Sequence, residues 1–336
     1  LSAAILFFSL ALAGLPARAM AESLETLSSR AAFAAAIRAN SIPLPAAPQP
    51  ALSPAPAKTD ASRANKNGLH AYFIDVGQGD AEYLELPNGK TVLIDGGPAE
   101  VTGDPHPPDG QEIVYGNPPL AGFIAQHNIR SIDYVVLTHP HFDHYAGLDY
   151  VFTHVQVGTF YDTRMRNDIN VEKLRAKIAN RGVNTVYPAE GDSLNWAPGE
   201  VAVRVFNSCP SEGSSDDGRV LNNCSIALKV TYQNTSIFYS GDIQSDVESR
   251  LAAKYGAQLR SDVLKVGHHG SRSSSGAAFL KAVKPKTAYI SVGKDNSYGH
   301  PTQAALSRLK AAGAKVYRTD KDGTQEYDIA AAGATR

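Results

Sequence analysis

Residues 138–144 read THPHFDH, three histidines and an aspartate within seven positions. Imidazoles and carboxylates so close together are suited to holding a divalent cation, which satisfies lone pairs that burial would otherwise leave unpaired. Two later places supply the same residue types: Gly241-Asp242 follows the apolar run SIFYS, and Gly267-His268-His269 follows DVLKV. His139 and His141 are two apart, so from an extended strand end both point the same way and can grip one ion. Asp143 and His144 come after the chain turns into a helix, with Asp143 also placed to cap it, and this aims them at a different point. His139, His141, Asp143, His144, Asp242 and His268 make six donors, too many for one zinc that keeps an open position, so a second ion is implied. The expected division is His139 and His141 at one ion, Asp143, His144 and His268 at the other, with Asp242 as a carboxylate bridge. Two divalent cations, zinc or manganese, would bring the pKa of a shared water from ~15.7 toward ~7, so that a metal-bridging hydroxide is the nucleophile without a separate base. The alternative is a closed structural zinc, against which stand the scarcity of thiolates and a donor count above four.

Elements of the right kind to position these groups surround them. Strands are expected at 69–76, 81–87, 91–95, 133–138, 201–206, 225–232, 236–240, 262–266 and 287–292, as short β-rich apolar runs. Helices fit around 119–128, 144–152, 168–180, 245–255, 276–283 and 302–311, the last opening at Pro301-Thr302. Neighbouring strands mix with strand–helix–strand units, so the fold class is α/β (or α+β) with covered sheets. Three strands empty ligand-type residues at their C-terminal ends, and those ends can meet on one edge.

The remaining sequence bounds the function. With 43% hydrophobic and 19% charged residues in 336, the chain is globular, and its 32 Lys and Arg against 33 Asp and Glu exclude a purely charge-driven nucleic-acid or membrane binder. The apolar run Ala3–Leu15 and the small residues of Ala17-Arg18-Ala19 read as a signal peptide over 1–21, the alternative being a retained anchor. Residues 22–68 hold an Ala-rich helical stretch and a Pro/Ala-rich linker, the hydrolase domain occupies 69–331, and 332–336 form a tail. No other stretch approaches the ~18 apolar residues of a membrane span. Cys209 and Cys224 are expected to form a disulfide in an exported protein, constraining the unfolded chain by roughly 3 kcal/mol; two free buried thiols are the alternative.

The ordered set DVGQGDAEYLELPNGKTVLIDGG (75–97), LTHPHFDHYAGL (137–148), LNNCSIALKV (221–230), YSGD (239–242), LKVGHHGS (264–271), NSYGHP (296–301) and YRTDKDGT (317–324) resembles the metallo-β-lactamase superfamily. Within it the pieces are similar to the hydrolase domain of the ComEC competence family and its secreted relatives. The resemblance covers residues 69–331 and implies a four-layer αββα sandwich with a dinuclear site at one edge of its sheets. One departure is the third histidine of the first metal site, whose place reads Asn222-Asn223-Cys224-Ser225, so that Asn223 or water fills the gap. Another is Ala146 where the family often has glycine.

Asp80 either orients a ligand from behind or stabilises the VGQG turn it shares with Asp75. His300, in YGHP, resembles a substrate-side histidine, so Asp143 and His300 are the residues expected to act in catalysis; the alternative for His300 is a helix cap. His269, Ser271 and Lys265, beside His268, are read as shell and loop residues, and His70, His106, His127 and His154 as ordinary surface or packed histidines. Arg164, Arg166, Lys173, Arg175 and Lys177 form either a local anion-binding patch or a solvated face.

These readings give a secreted or periplasmic, dinuclear metal-dependent hydrolase, a phosphodiesterase or nuclease, whose partner is a phosphodiester such as nucleic acid. No stable protein partner is inferred. Two alternatives remain: a small-substrate hydrolase for a phosphocholine-type ester, lactone or β-lactam, and a non-catalytic envelope binding module. Amidohydrolase barrels share only the His-x-His element, and Asp143-His144 immediately after it argues against them.

Overall fold

The computed structural model describes residues 68–102, 114–167 and 169–331, all within the compact unit Ala57–Arg336. The expected signal peptide, the helical stretch and linker up to residue 67, His106 and the tail lie outside the described residues.

Two seven-stranded sheets face one another. The first runs, edge to edge, Gln325–Ala330, Gly68–Phe73, Glu82–Glu85, Thr91–Ile94, Ser131–Val136, Gln156–Tyr161 and Asn184–Val186. The second runs Ser193–Ala197, Val201–Asn207, Ala227–Tyr232, Thr235–Tyr239, Val263–Lys265, Thr287–Ile290 and Lys315–Arg318. Each begins antiparallel and turns parallel, from Thr91–Ile94 in one and from Thr235–Tyr239 in the other.

Alternation along the strands divides the apolar residues between layers. Val92 and Ile94 enter the core between the sheets, with Tyr134, Val136, Leu228, Ile237 and Tyr239. Leu93 and Val135 point the other way, beneath helices Leu148–His154 and Ile169–Asn180. Phe238, Leu264 and Ile290 likewise face helices Ser245–Tyr255, Ala277–Val283 and Gln303–Ala311. The result is the expected four-layer αββα sandwich. No helix among the described residues is long and apolar enough to cross a membrane.

Two expectations about elements change. The helix expected over 144–152 is two pieces, Phe142–Tyr145 and Leu148–His154, joined at Gly147, where a Cβ would lie 2.0 Å from the Gly96 carbonyl oxygen. His141 is the N-cap of the first piece and Asp143 sits inside its first turn, so Asp143 is not the cap. For Gln303–Ala311 the cap is Thr302, whose hydroxyl accepts from the Ala305 N–H, so His300 is not a cap either.

Glu248, on Ser245–Tyr255, accepts the backbone N–H groups of Ser275 and Gly276 at 2.6 and 2.7 Å and so ties that helix to the start of the next. Burial pushes its carboxyl up from 4.5 to about 7. Between those values the unfolded chain gives up this proton first, so the stability Glu248 contributes is full below pH 4.5 and is lost as pH rises through 7. The swing is on the order of 3 kcal/mol. Unfolding free energies from urea titrations of wild type and Glu248→Gln are expected to differ by a gap that changes by about that amount between pH 5 and pH 8; an identical gap at both pH values would count against it.

Candidate metal centre

The strand ends bring the ligand-type residues together as their order suggested. Thr91–Ile94 delivers Asp95 and its parallel neighbour Ser131–Val136 delivers Thr138 and His139; in the other sheet Thr235–Tyr239 leads to Asp242 and its parallel neighbour Val263–Lys265 to His268 and His269. The turn after Gly68–Phe73 passes so close that a Cβ on Gly79 would lie 2.4 Å from the Asp143 carbonyl oxygen, at a φ of +153° that glycine tolerates.

Asp242 is the point of convergence. Its Oδ2 lies 3.4 Å from His144 Nε2, 3.5 Å from His269 Nε2 and 3.8 Å from His139 Nε2. Asp143 adds an Oδ2 3.1 Å from His269 Nε2 and an Oδ1 4.0 Å from His144 Nε2. His141 Nδ1 is 2.8 Å from His139 Nε2, with the two rings edge to face.

The opposite ring nitrogens explain why Nε2 faces inward. His144 Nδ1 donates to Asp95 Oδ2 at 2.8 Å, and Asp95 also accepts from the Thr138 N–H and hydroxyl, each at 2.7 Å. His269 Nδ1 donates to the Ser291 carbonyl at 2.9 Å, with Asp80 Oδ1 3.2 Å away. Thr138 gives its hydroxyl proton to Asp95, so toward His139 Nδ1, 3.1 Å off, it accepts. All three rings are thereby fixed with Nδ1 protonated and the Nε2 lone pair available to a cation, the arrangement seen behind metal-bound histidines generally.

Electrostatics agree with a cation site. Burial would raise the Asp242 carboxyl, but His269, His144 and His268 hold it well below the usual range. Asp143 is lowered in the same way, burial being outweighed by His144 and His269. Burial would lower His144 and His269, yet Asp242 first, with Asp95 and Asp143 around one ring and Asp80 and Asp143 around the other, raises both well above the normal imidazole value. His139 is driven far below it by burial and by the charge on His144. The carboxylates around these two rings thus favour positive charge at this point, which a divalent ion would supply. Nε2 of both His144 and His269 is buried with no hydrogen-bond partner among the described residues. The groups His139–His144–Asp242 and Asp143–His144–His269 each keep their ligand atoms within 4.8 Å of one another. These residues fit a divalent metal site.

Two sequence expectations are corrected. His268 is not the imidazole that joins Asp143 and His144; His269 is. Both sit at positive φ, 48° and 50°, and this left-handed pair reverses the chain so that His269 turns inward and is buried. His268 instead has Nε2 3.4 Å from Asn222 Nδ2 and Nδ1 3.4 Å from Ser273 Oγ, while its backbone N–H donates to Asp242 Oδ1 at 3.1 Å. Likewise Asn222, not Asn223, faces the histidines: the Asn223 amide donates to Asp246 and accepts from the Gln244 N–H, whereas Asn222 is buried with its Oδ1 unpartnered.

Asp80 is buried behind His269 and paired to the equally buried Lys265 Nζ, with Glu82 Oε1 3.9 Å from the same ammonium. Asp75 accepts from the Gly77 N–H and serves its own turn. The His300 ring stands 5.5 Å from His268 and 6.5 Å from His269, and its Nδ1 has no hydrogen-bond partner among the described residues. Burial and then the charge on His268 and His269 lower its pKa to about 4. Cys209 and Cys224 form the expected disulfide, anchoring helix Gly218–Asn223 and with it Asn222. His70 pairs with Asp328 and Glu326, His127 stacks on Phe123 and His154 on Tyr150, all away from the centre. In the basic segment, Arg164 pairs with Glu212, Arg166 with Glu172, Arg175 with Asp162 and Glu172, and Lys177 with Asp149. Most of that positive charge is therefore compensated within the fold.

The model of the β-lactamase superfamily domain matches residues 90–268, more than half of the chain and the stretch that carries THPHFDH, Asp242 and His268. The chain belongs to this superfamily. Among relatives within it, the ComE operon protein 3 of Bacillus subtilis (strain 168) is 30% identical over 258 residues, which are 76% of this chain and 32% of that protein. Competence protein ComA of Neisseria gonorrhoeae is 30% identical over 211 residues, 61% of this chain and 26% of that one. The chain thus spans about a third or less of the length of these relatives. Among solved structures, the metallo-β-lactamase fold protein YhfI of Bacillus subtilis superposes with a TM-score of 0.47 at 11% identity, over 77% of this chain and 100% of that one. In this ComEC-like member of the superfamily, His139, Asp143, His144, Asp242 and His269 lie together at the ends of the strands of the two sheets.

Proposed function

We propose that this protein is an exported, metal-dependent phosphodiesterase acting on nucleic acid. The observation that carries the reading is the convergence of three imidazole Nε2 atoms on one carboxylate oxygen, Asp242 Oδ2, at 3.4–3.8 Å. His139 and His141 would hold one ion, Asp143, His144 and His269 a second, and Asp242 would serve both. A pair of zinc or manganese ions there supplies an acidified water and positive charge for a phosphoryl oxygen.

The chain's own residues do the rest. Asp95 and the Ser291 carbonyl fix the rings of His144 and His269, and the Lys265–Asp80 pair braces His269 from behind. His300 projects beside His268 at the rim with a ring that is neutral at physiological pH, suited to hydrogen-bonding a leaving oxygen. The names of the relatives, a competence protein and a protein of the ComE operon, support nucleic acid as the substrate class. The Cys209–Cys224 disulfide supports an oxidising compartment outside the cytoplasm.

The test is turnover by protein loaded with Mn²⁺ or Zn²⁺, on bis-p-nitrophenyl phosphate and a single-stranded oligonucleotide, against nitrocefin and a homoserine lactone. Cleavage of both phosphodiesters, abolished by EDTA, is expected. Turnover of nitrocefin or the lactone with neither phosphodiester touched would replace this reading with a small-substrate hydrolase.

A further inference from the structure

Beside the metal centre a cleft of 370 Å³ opens between the loop that carries His300 and the segment around Lys321. We infer that this cleft binds the next nucleotide of a single-stranded nucleic acid whose scissile phosphate lies at the metal centre, an inference that rests on the phosphodiesterase reading above. His300 lines the cleft and also stands 5.5 Å from His268 and 6.5 Å from His269, ring to ring, so the cleft and the metal centre share this residue as a border. The volume is at the low end of the ~300–1,000 Å³ typical of small-ligand clefts, suited to a monomer unit of a polymer.

Three features fit a nucleotide. Tyr298 is 68% exposed, the most exposed large apolar or aromatic side chain of the described residues, and its ring lies parallel to His300 at 5.8 Å and 22°. An aromatic ring with this much of its surface facing solvent is a platform on which any base can stack. The loop beneath it is pre-formed: the Asn296 amide donates to the carbonyls of Gly293 and His300 and accepts the His300 N–H. Finally, Lys294 and Lys321 line the cleft and make no ion pair among the described residues, while Arg318 is held by Asp320. With Asp295 also in the lining, the cations exceed the carboxylates by one, enough for one phosphate and in contrast to the compensated segment around Arg175. Stacking plus one phosphate selects a strand whose bases are free, since in a duplex no base face is offered.

The test uses Tyr298→Ala, Tyr298→Phe and the double variant Lys294→Glu/Lys321→Glu, none of which touches the metal centre. Binding of a fluorescein-labelled phosphorothioate oligothymidylate to the protein as purified is followed by anisotropy, with KM for a cleavable oligonucleotide and kcat/KM for bis-p-nitrophenyl phosphate beside it. Tyr298→Ala and the double variant are expected to weaken Kd and raise KM about tenfold, Tyr298→Phe to behave as wild type, and the small diester to be unaffected within about twofold. Unchanged Kd in Tyr298→Ala and the double variant, or a duplex bound as tightly as the single strand by wild type, would overturn the inference. A wild type that binds the oligonucleotide through Tyr298 but cleaves no phosphodiester would leave the cleft standing and remove the catalytic reading instead.

Discussion

His269→Ala is expected to lose bound metal and to lower kcat/KM for a phosphodiester on the order of a thousandfold, while His268→Ala keeps its metal and loses about tenfold at most. The two histidines are adjacent, both imidazoles, and both near Asp242, so the comparison isolates direction rather than chemistry. His269 Nε2 faces Asp143 at 3.1 Å and Asp242 at 3.5 Å, and its Nδ1 is tied down by Ser291. Removing it withdraws a donor and leaves Asp143 and Asp242 with less positive charge between them. The His268 ring is at the rim, against His300 and Asn222, and its link to Asp242 runs through the backbone N–H, which alanine retains. Metal content measured alongside steady-state kinetics decides the matter; a His268→Ala variant that loses metal while His269→Ala keeps it would reverse the assignment.

That pair of residues also shows where reading the sequence stops. The α/β class was legible in short apolar runs such as Val92–Ile94, Tyr134–Val136 and Ile237–Tyr239, but these are apolar at every position, so the four-layer sandwich came from the family resemblance and the division of their side chains between a central core and two helix-covered faces from the structure. The gathering of His139, His141, Asp143, His144 and Asp242 was legible because two buried strands run out into them, Ser131–Val136 into His139 and the short helix that carries Asp143 and His144, and Thr235–Tyr239 into Asp242. What followed Lys265 was not: two non-glycine residues in left-handed conformation carry no local signal, and such conformations persist only where tertiary contacts hold them. Asn222 and Asn223 posed the same difficulty, since one residue of register in the short helix Gly218–Asn223 decides which amide meets the histidines. The edge strand Gln325–Ala330 was missed because it is polar on alternate residues and takes its place from pairing with Gly68–Phe73. Asp95 was passed over as a strand end; its signal was an aspartate closing TVLI just as Asp242 closes SIFYS at one remove.

The second large effect falls on Asp242, the group on which the three imidazoles converge. Its carboxylate is buried and held ionised by His269, His144 and His268, and its Oδ2 lies within 3.8 Å of the Nε2 atoms of His139, His144 and His269. In Asp242→Ala those rings keep their second partners, Thr138 and Ser291, so the fold is expected to survive while the charge that draws a cation between them is lost. Phosphodiester turnover should drop on the order of a thousandfold or more. The measurement that bears most directly on the whole account is the metal-to-protein ratio, determined by inductively coupled plasma mass spectrometry on wild type and Asp242→Ala after equal loading and desalting. Two equivalents in wild type and one or none in the variant, with activity lost in step, is the predicted result. Equal metal and equal activity in both proteins would contradict it, because no carboxylate bridge could then lie at the centre of the site.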